Sequence, residues 1–192
     1  MNKKHSEHFR NKIRTKLEKK VTQRKDIKNA LLLIHSDKMN LHWKFSAGTS
    51  HGNPISEDHP YHIASIGKTF TSMLIARLYE QGRVKYEELV NDYLSPQTLA
   101  GLFVYKGKDY RDQVQIRHLL NHTSGIGDHF EDKSQQKKSV KDLMIDEPDR
   151  FWRPDDTIQF TRENLQAVGP PGKKFHYSDT GYNLLGKIIE QI

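Results

Sequence analysis

Residues 62–84 read HIASIGKTFTSMLIARLYEQGRV, and this stretch decides how the rest of the chain is interpreted. Ser65 and Lys68 stand three residues apart at the start of a long apolar-periodic segment. Gly82 lies where a helix of about five turns would end. The pattern therefore predicts a helix that begins at Ser65. We expect it to bury one face, which would consist of Phe70, Met73, Leu74, Ala76, Arg77 and Leu78.

The S-x-x-K spacing has a chemical meaning at a helix start. Residues i and i+3 share a helix face, so the amine of Lys68 can reach the hydroxyl of Ser65. The amides and dipole of a helix N-terminus stabilise negative charge on the serine oxygen, and the same field with burial lowers the lysine pKa. The motif also arises by chance, and it leaves open an alternative in which Ser65 is an N-cap and Lys68 is solvated.

A second segment, PPGKKFHYSDTGYNLLGKIIE at residues 170–190, places Tyr177 between a Pro/Gly loop and a predicted helix at 182–192. A tyrosine hydroxyl beside a Ser/Lys pair can relay protons to a leaving group. Taken alone, Tyr177 could equally be a core aromatic residue with a surface hydroxyl.

With IRHLLNHTSGI at residues 116–126, the three segments stand in an order and spacing that resembles the serine β-lactamase-related family. That family includes class C β-lactamases, D-Ala-D-Ala carboxypeptidases and related esterases, and the resemblance covers about residues 28–192. It implies an α+β fold of the β-lactamase/transpeptidase type, in which helices flank an antiparallel sheet and an all-helical subdomain is inserted. It also implies a serine hydrolase that forms an acyl-enzyme on an ester, amide or β-lactam of a small molecule or peptide, without a cofactor.

The resemblance assigns roles to individual residues. Ser65 would be acylated, Lys68 would deprotonate it and Tyr177 would shuttle the proton, while Asp179 would occupy a substrate-binding position. The family pattern at this last place is commonly Tyr-x-Asn. Because a carboxylate only accepts hydrogen bonds and favours a protonated lysine, Asp179 argues against β-lactam or peptide substrates more than against acyl transfer.

A second departure concerns the third family motif, a Lys-Thr-Gly or His-x-Gly strand, which the 192 residues do not contain. We therefore expect a chain truncated before the C-terminal strands, which supplies the hairpin, the nucleophile helix and most of the helical part. The oxyanion hole of the family would then keep only the Ser65 amide, and one lost donor costs roughly 10²- to 10³-fold in rate. An inactive fragment or binding module of the same family is the alternative.

His118 and His122 stand four residues apart, a spacing that can hold a metal on one helix face. No third ligand is evident nearby, and the resemblance makes this segment a packed structural turn. We expect no metal site.

Upstream of the nucleophile segment, residues 29–35 form an apolar run, and residues 41–47 alternate apolar and polar side chains. This pattern predicts a β-hairpin with one buried face. Two strands cannot make a stable sheet alone, so the hairpin needs either later strands or a helix to pack on. We place the β-lactamase-related domain at residues 27–192.

The net charge of +7 belongs to the first 26 residues, which hold 10 Lys/Arg against 3 Asp/Glu and leave the remaining residues balanced. We therefore expect no nucleic-acid partner. The basic segment is predicted to be an accessory terminal helix that lays its apolar stripe on the domain and keeps its charges in solvent, and binding to anionic lipid is the alternative left open. Its narrow apolar stripe consists of Phe9, Ile13, Leu17 and Val21. The sequence leaves the oligomeric state open.

The chain has no cysteine, which excludes disulfides and thiolate metal sites. Its apolar runs are shorter than the roughly 20 residues that a membrane helix needs. The basic N-terminus is not followed by the apolar segment of a secretory signal. These features predict a cytoplasmic protein.

Overall fold

The computed structural model describes residues 3–134 and 137–192. It is α+β, with antiparallel sheets and helices, and it consists of two compact units, Met1–His62 and Ile63–Ile192. The boundary that we predicted between residues 26 and 27 does not coincide with this division. The N-terminal helix belongs to the same unit as the hairpin, because it packs on the hairpin's apolar face.

The first unit contains α1 (Lys3–Gln23), β1 (Asn29–Ser36), β2 (Leu41–Ser50) and β3 (Asn53–Pro54). The three strands form one antiparallel sheet in the order β1-β2-β3. Its register pairs the start of β1 with the end of β2, as a hairpin requires.

One face of β2 carries the core of this unit, as the alternating sequence predicts. Leu41, Trp43 and Phe45 are buried, and α1 covers them. Val21 of α1 is buried, and Ile13 and Leu17 are half-buried against the same cluster. The apolar stripe therefore lies on the hairpin through these three residues, as predicted for a terminal helix that packs on the domain, while Phe9 is 53% exposed.

The second unit is mainly helical. Its short elements are α3 (Pro96–Leu99), a two-stranded ribbon of β4 (Val104–Tyr105) and β5 (Lys108–Asp109), α4 (Ile116–Leu120) and α5 (Val140–Asp146). Its longer helices are α2 (Gly67–Glu80), α6 (Pro154–Asn164) and α7 (Asp179–Gln191). The last helix is central, since it packs against α2, α4 and α6.

The core of this unit is built on α7, where Leu184, Leu185 and Ile188 are fully buried. Helix α2 contributes Ile75 and helix α4 contributes Leu119 to the same cluster. The apolar face of α7 was predicted correctly. The helix begins three residues earlier than predicted because the Ser178 hydroxyl caps it, accepting a hydrogen bond from the Gly181 amide at 3.2 Å.

Two sequence predictions fail in this unit. Phe70, Met73 and Leu74 of α2 are exposed by 59, 63 and 52% rather than buried, because α2 turns the side that carries Ile75 toward the core. Helix α6 was not predicted from the sequence, because its apolar residues form no clear helical period. Proline is favoured in the first turn of a helix, where its missing N–H costs nothing, and Pro154 occupies that position.

Within residues 3–134 and 137–192, no helix combines the length and the apolar character needed to cross a bilayer.

The packing of α1 generates a stability prediction. Val21 is 9% exposed against the hairpin core, whereas the neighbouring Thr22 is exposed. Val21→Asp should lower the free energy of unfolding of the first unit by about 2–4 kcal/mol, because it buries a carboxylate without a partner. Thr22→Asp adds the same charge on the solvent side and should cost roughly 0.5 kcal/mol or less. Urea denaturation followed by tryptophan fluorescence measures both, and equal effects would show that α1 does not stabilise the hairpin.

The turn at Gly125 generates a second stability prediction. Gly125 has φ +81°, and a Cβ there would lie 2.0 Å from the Gly169 carbonyl oxygen. Gly82 has φ +70° with open space around it, so Gly82→Ala isolates the cost of the left-handed backbone, about 1 kcal/mol. Gly125→Ala should cost roughly 2 kcal/mol more, because two backbone segments must also separate. Thermal unfolding of the two variants compares them, and similar melting temperatures would contradict the close approach.

Candidate active site

Ser65 lies in a 3₁₀ turn, Ala64–Ile66, immediately before α2. The helix therefore begins at Gly67, two residues after the start that the sequence predicted. Ala64 adopts φ +46°, a left-handed conformation that costs free energy for a residue with a Cβ. The turn presents the Ser65 side chain to a cavity in the second unit.

The Ser65 hydroxyl contacts both of the predicted partner side chains. Lys68 Nζ donates to Ser65 Oγ at 3.4 Å, across one helical turn. Tyr177 OH donates to the same oxygen at 2.8 Å, although it lies 112 residues away in the sequence. The interpretation of Ser65 as an N-cap with a solvated Lys68 is not supported, since the Lys68 side chain is only 15% exposed.

Asp179, the fourth predicted site residue, forms an ion pair with Lys68. Burial alone would lower the pKa of Lys68, but hydrogen bonds to Asp179 and Tyr177 and the negative charge of Asp179 outweigh it and raise the pKa above its usual range. The expectation that the helix terminus and burial would lower this pKa is therefore wrong. At neutral pH, Lys68 is an ammonium group.

Asp179 is held from both directions. As the first residue of α7 it lies at the positive end of the helix dipole. Its backbone N–H donates to Asp128 Oδ1 at 2.8 Å. Asp128 is 1% exposed, and burial raises the pKa of its carboxyl group. This buried carboxylate fixes the start of α7, and with it the position of the Asp179 side chain.

Tyr177 is positioned by the turn around His122. The two rings lie 4.4 Å apart at an angle of 30°. His122 Nδ1 accepts a hydrogen bond from the Ser178 amide at 3.1 Å, and the His122 carbonyl accepts one from the His176 amide at 2.8 Å. Burial and the nearby charge of Lys68 lower the pKa of His122, which keeps the ring neutral. These bonds attach the loop before α7 to the turn after α4.

His118 and His122 each accept a hydrogen bond from a backbone amide. His118 Nδ1 accepts from the Gln115 amide at 3.1 Å and caps α4, while His122 Nδ1 accepts from Ser178. Among residues 3–134 and 137–192, no group of three or more histidine, cysteine, aspartate or glutamate residues is placed to hold a metal ion.

The cavity has a volume of about 320 Å³. It brings together all four predicted site residues and adds others that sequence reasoning missed. Its lining includes the side chains of Ser65, Lys68, Tyr177, Asp179, His129 and Glu131. No local signal marks His129 or Glu131 in the sequence, because they follow the Thr-Ser-Gly turn in an irregular segment and reach the cavity only through tertiary packing.

The chain is similar in sequence to known proteins. The sequence matches the Beta-lactamase family over residues 14–192. It is 32% identical over 142 residues to a penicillin-binding protein of Bacillus subtilis (strain 168), an alignment that covers 72% of this chain and 26% of the relative.

Solved structures give the same result. An octameric penicillin-binding protein homologue from Pyrococcus abyssi superposes with a TM-score of 0.70 at 28% identity, over 94% of this chain and 38% of that one. The D-amino acid amidase from Ochrobactrum anthropi SV3 superposes with a TM-score of 0.67 at 26% identity, over 92% of this chain and 46% of that one.

The chain thus spans about a quarter of the curated relative and less than half of each of these solved chains. Three findings point to the same protein family: the match over residues 14–192, the 32% identity to a penicillin-binding protein and the shared fold. The chain belongs to the Beta-lactamase family.

Proposed function

We propose that this chain carries the acylation centre of a serine hydrolase that acts on an ester, amide or β-lactam carbonyl. The observation that carries the proposal is the double contact of Ser65 Oγ with Tyr177 OH and Lys68 Nζ. A serine hydroxyl is a weak nucleophile until a neighbouring base takes its proton, and these are the two groups within reach. Relatives that include a penicillin-binding protein and a D-amino acid amidase support the reaction class.

In the proposed reaction, neutral Lys68 takes the Ser65 proton while Ser65 Oγ forms a bond to the carbonyl carbon of the substrate. The bond from that carbon to the leaving group then breaks, and the proton passes through Tyr177 to the leaving group. Water attacks the resulting ester, gives its proton to the same pair of side chains and releases the acid. Ser65 recovers a proton, so the cycle balances.

The Lys68–Asp179 ion pair favours a second candidate function. A lysine that is held protonated is a poor base, so the same site could bind an acyl compound without turning it over. The two candidates differ in one measurable property, which is whether Ser65 becomes covalently modified.

Covalent labelling separates the two candidates. The 192-residue chain, treated with a fluorophosphonate or a penicillin, should gain one adduct on Ser65 by intact mass and peptide mapping. The Ser65→Ala variant should gain none. Label that persists in Ser65→Ala would contradict the proposed nucleophile, and a chain that is folded but never labelled would favour the binding function.

The two tyrosines beside Lys68 provide a matched pair for the same assay. Tyr177 and Tyr182 have ring centroids 4.9 and 5.6 Å from Lys68 Nζ, but only Tyr177 OH contacts Ser65. Tyr177→Phe should therefore lower the labelling rate by roughly 10²-fold or more. Tyr182 OH donates to the Leu120 carbonyl instead, so Tyr182→Phe should lower the labelling rate far less.

The raised pKa of Lys68 generates a pH prediction. The neutral lysine is the active base, so the labelling rate should rise with pH up to a Lys68 pKa that lies above its usual range. Asp179→Asn removes the negative neighbour, lowers that pKa and should move the rising limb to lower pH. Glu131→Gln removes a charge that lines the same cavity but pairs with Lys141, and it should move the limb less. An unchanged profile in Asp179→Asn would show that Lys68 is not the base.

A further inference from the structure

The proposed reaction leaves one polar wall of the cavity unused. His129 lines the cavity and is 5% exposed. Its Nδ1 contacts Thr180 Oγ1 at 2.9 Å. In the part of the chain that the structure describes, Nε2 has no hydrogen-bond partner. It is also not among the polar side-chain atoms that are completely buried without a partner. One ring nitrogen is therefore held by the protein, and the other is neither hydrogen-bonded nor fully buried on a residue that lines the cavity.

The hydrogen bonds of helix α6 determine which nitrogen carries the proton. Thr161 Oγ1 donates to the Thr157 carbonyl at 3.0 Å, one turn earlier in the same helix. A hydroxyl has only one proton. In the 2.9 Å contact between Thr161 Oγ1 and Thr180 Oγ1, Thr161 must therefore accept and Thr180 must donate.

Thr180 then has no proton left for the histidine. It accepts from the His129 backbone N–H at 3.1 Å with one lone pair and faces His129 Nδ1 at 2.9 Å with the other. Nδ1 must supply the proton of this second bond. In a neutral imidazole the other nitrogen is then an acceptor, so Nε2 presents a lone pair.

We propose that His129 is a specificity-determining residue, whose Nε2 accepts a hydrogen bond from the N–H of an amide in the substrate. The inference deepens the proposed function, on which it rests, by naming a chemical group that the substrate carries near the carbonyl under attack. The chemistry around the cavity supports an acceptor role. Lys68 and Tyr177 donate, and the two carboxylates, Asp179 and Glu131, are committed to lysines.

The electrostatics of the wall agree with a neutral ring. Burial lowers the pKa of His129 to about 4, and the charge of Lys68 adds to this effect while Asp179 opposes it. An imidazole that stays neutral across the physiological range keeps its Nε2 lone pair. A ligand that fills the cavity without offering a donor would bury Nε2 and leave this acceptor unpaired, which is costly, so such a ligand should be disfavoured.

The tautomer is measured directly by long-range ¹H–¹⁵N NMR on the 192-residue chain carrying Ser65→Ala, which prevents acylation. The His129 Nδ1 resonance should be protonated and the Nε2 resonance unprotonated. Thr161→Val removes the acceptor of the Thr180 proton, which then turns to Nδ1 and leaves Nε2 protonated. Thr161→Ser keeps the acceptor and should keep the parent tautomer. A protonated Nε2 in the parent chain would overturn the proposal.

Ligand binding tests the second half of the proposal in the same samples. Methyl N-acetylglycinate offers one amide N–H, and methyl acetoxyacetate replaces it with an ester oxygen and carries no N–H. The first probe should shift the His129 Nε2 resonance and bind about fivefold to tenfold more tightly than the second. His129→Phe should abolish this preference. Equal affinities in the parent, or no binding of the amide probe, would overturn the inference.

The two proposals can fail separately. If Ser65 is never labelled but the Nε2 shift and the amide preference are observed, the hydrolase proposal fails and His129 remains a binding residue. If Ser65 is labelled and the amide preference is absent, the hydrolase proposal stands and the role of His129 is rejected.

Discussion

The ion pair between Lys68 and Asp179 is the interaction on which the rest of the site depends. It joins the first turn of α2 to the first residue of α7, two helices that also share the core of the second unit. Both side chains are largely removed from water, at 15 and 24% exposure, so leaving either one unpaired would carry a desolvation cost. The pair therefore fixes the distance between the nucleophile turn and the Tyr177 loop, and it also determines that Lys68 is protonated at rest.

That charge state shapes the chemistry of the cavity. A carboxylate beside the lysine stabilises the ammonium form, which is the form that cannot take a proton from Ser65. The neighbouring groups are arranged differently. The histidines that face the site are kept neutral by burial, and their Nδ1 atoms are engaged by backbone or hydroxyl groups. The site thus combines one charged, titratable pair with a rigid neutral frame.

The turn after α4 lies far from Ser65 in sequence, yet it matters for the chemistry of Ser65 because it positions Tyr177. The turn after α4 accepts backbone hydrogen bonds from His176 and Gly172, and its carbonyl at Gly125 accepts one from Val168. These bonds attach the loop before α7 to the turn over most of its length. Because Gly125 and Gly169 approach each other closely, no side chain fits between the two segments. Tyr177 reaches Ser65 only because this loop is held in place.

The sequence by itself determined the parts that depend on local pattern. Alternation predicted the hairpin face of Leu41, Trp43 and Phe45, helical periodicity predicted the apolar face of α7, and motif spacing identified the four residues that meet at the cavity. These succeed because period and spacing are properties of neighbouring residues.

Tertiary structure decided everything that depends on distant neighbours. It decided that α1 packs on the hairpin, that Phe70 and Met73 are exposed while Ile75 is buried, and that the pKa of Lys68 rises rather than falls. It also decided that His129 reaches the cavity. Burial and electrostatics are set by groups that lie close in space, and the group that controls Lys68 lies 111 residues away along the chain.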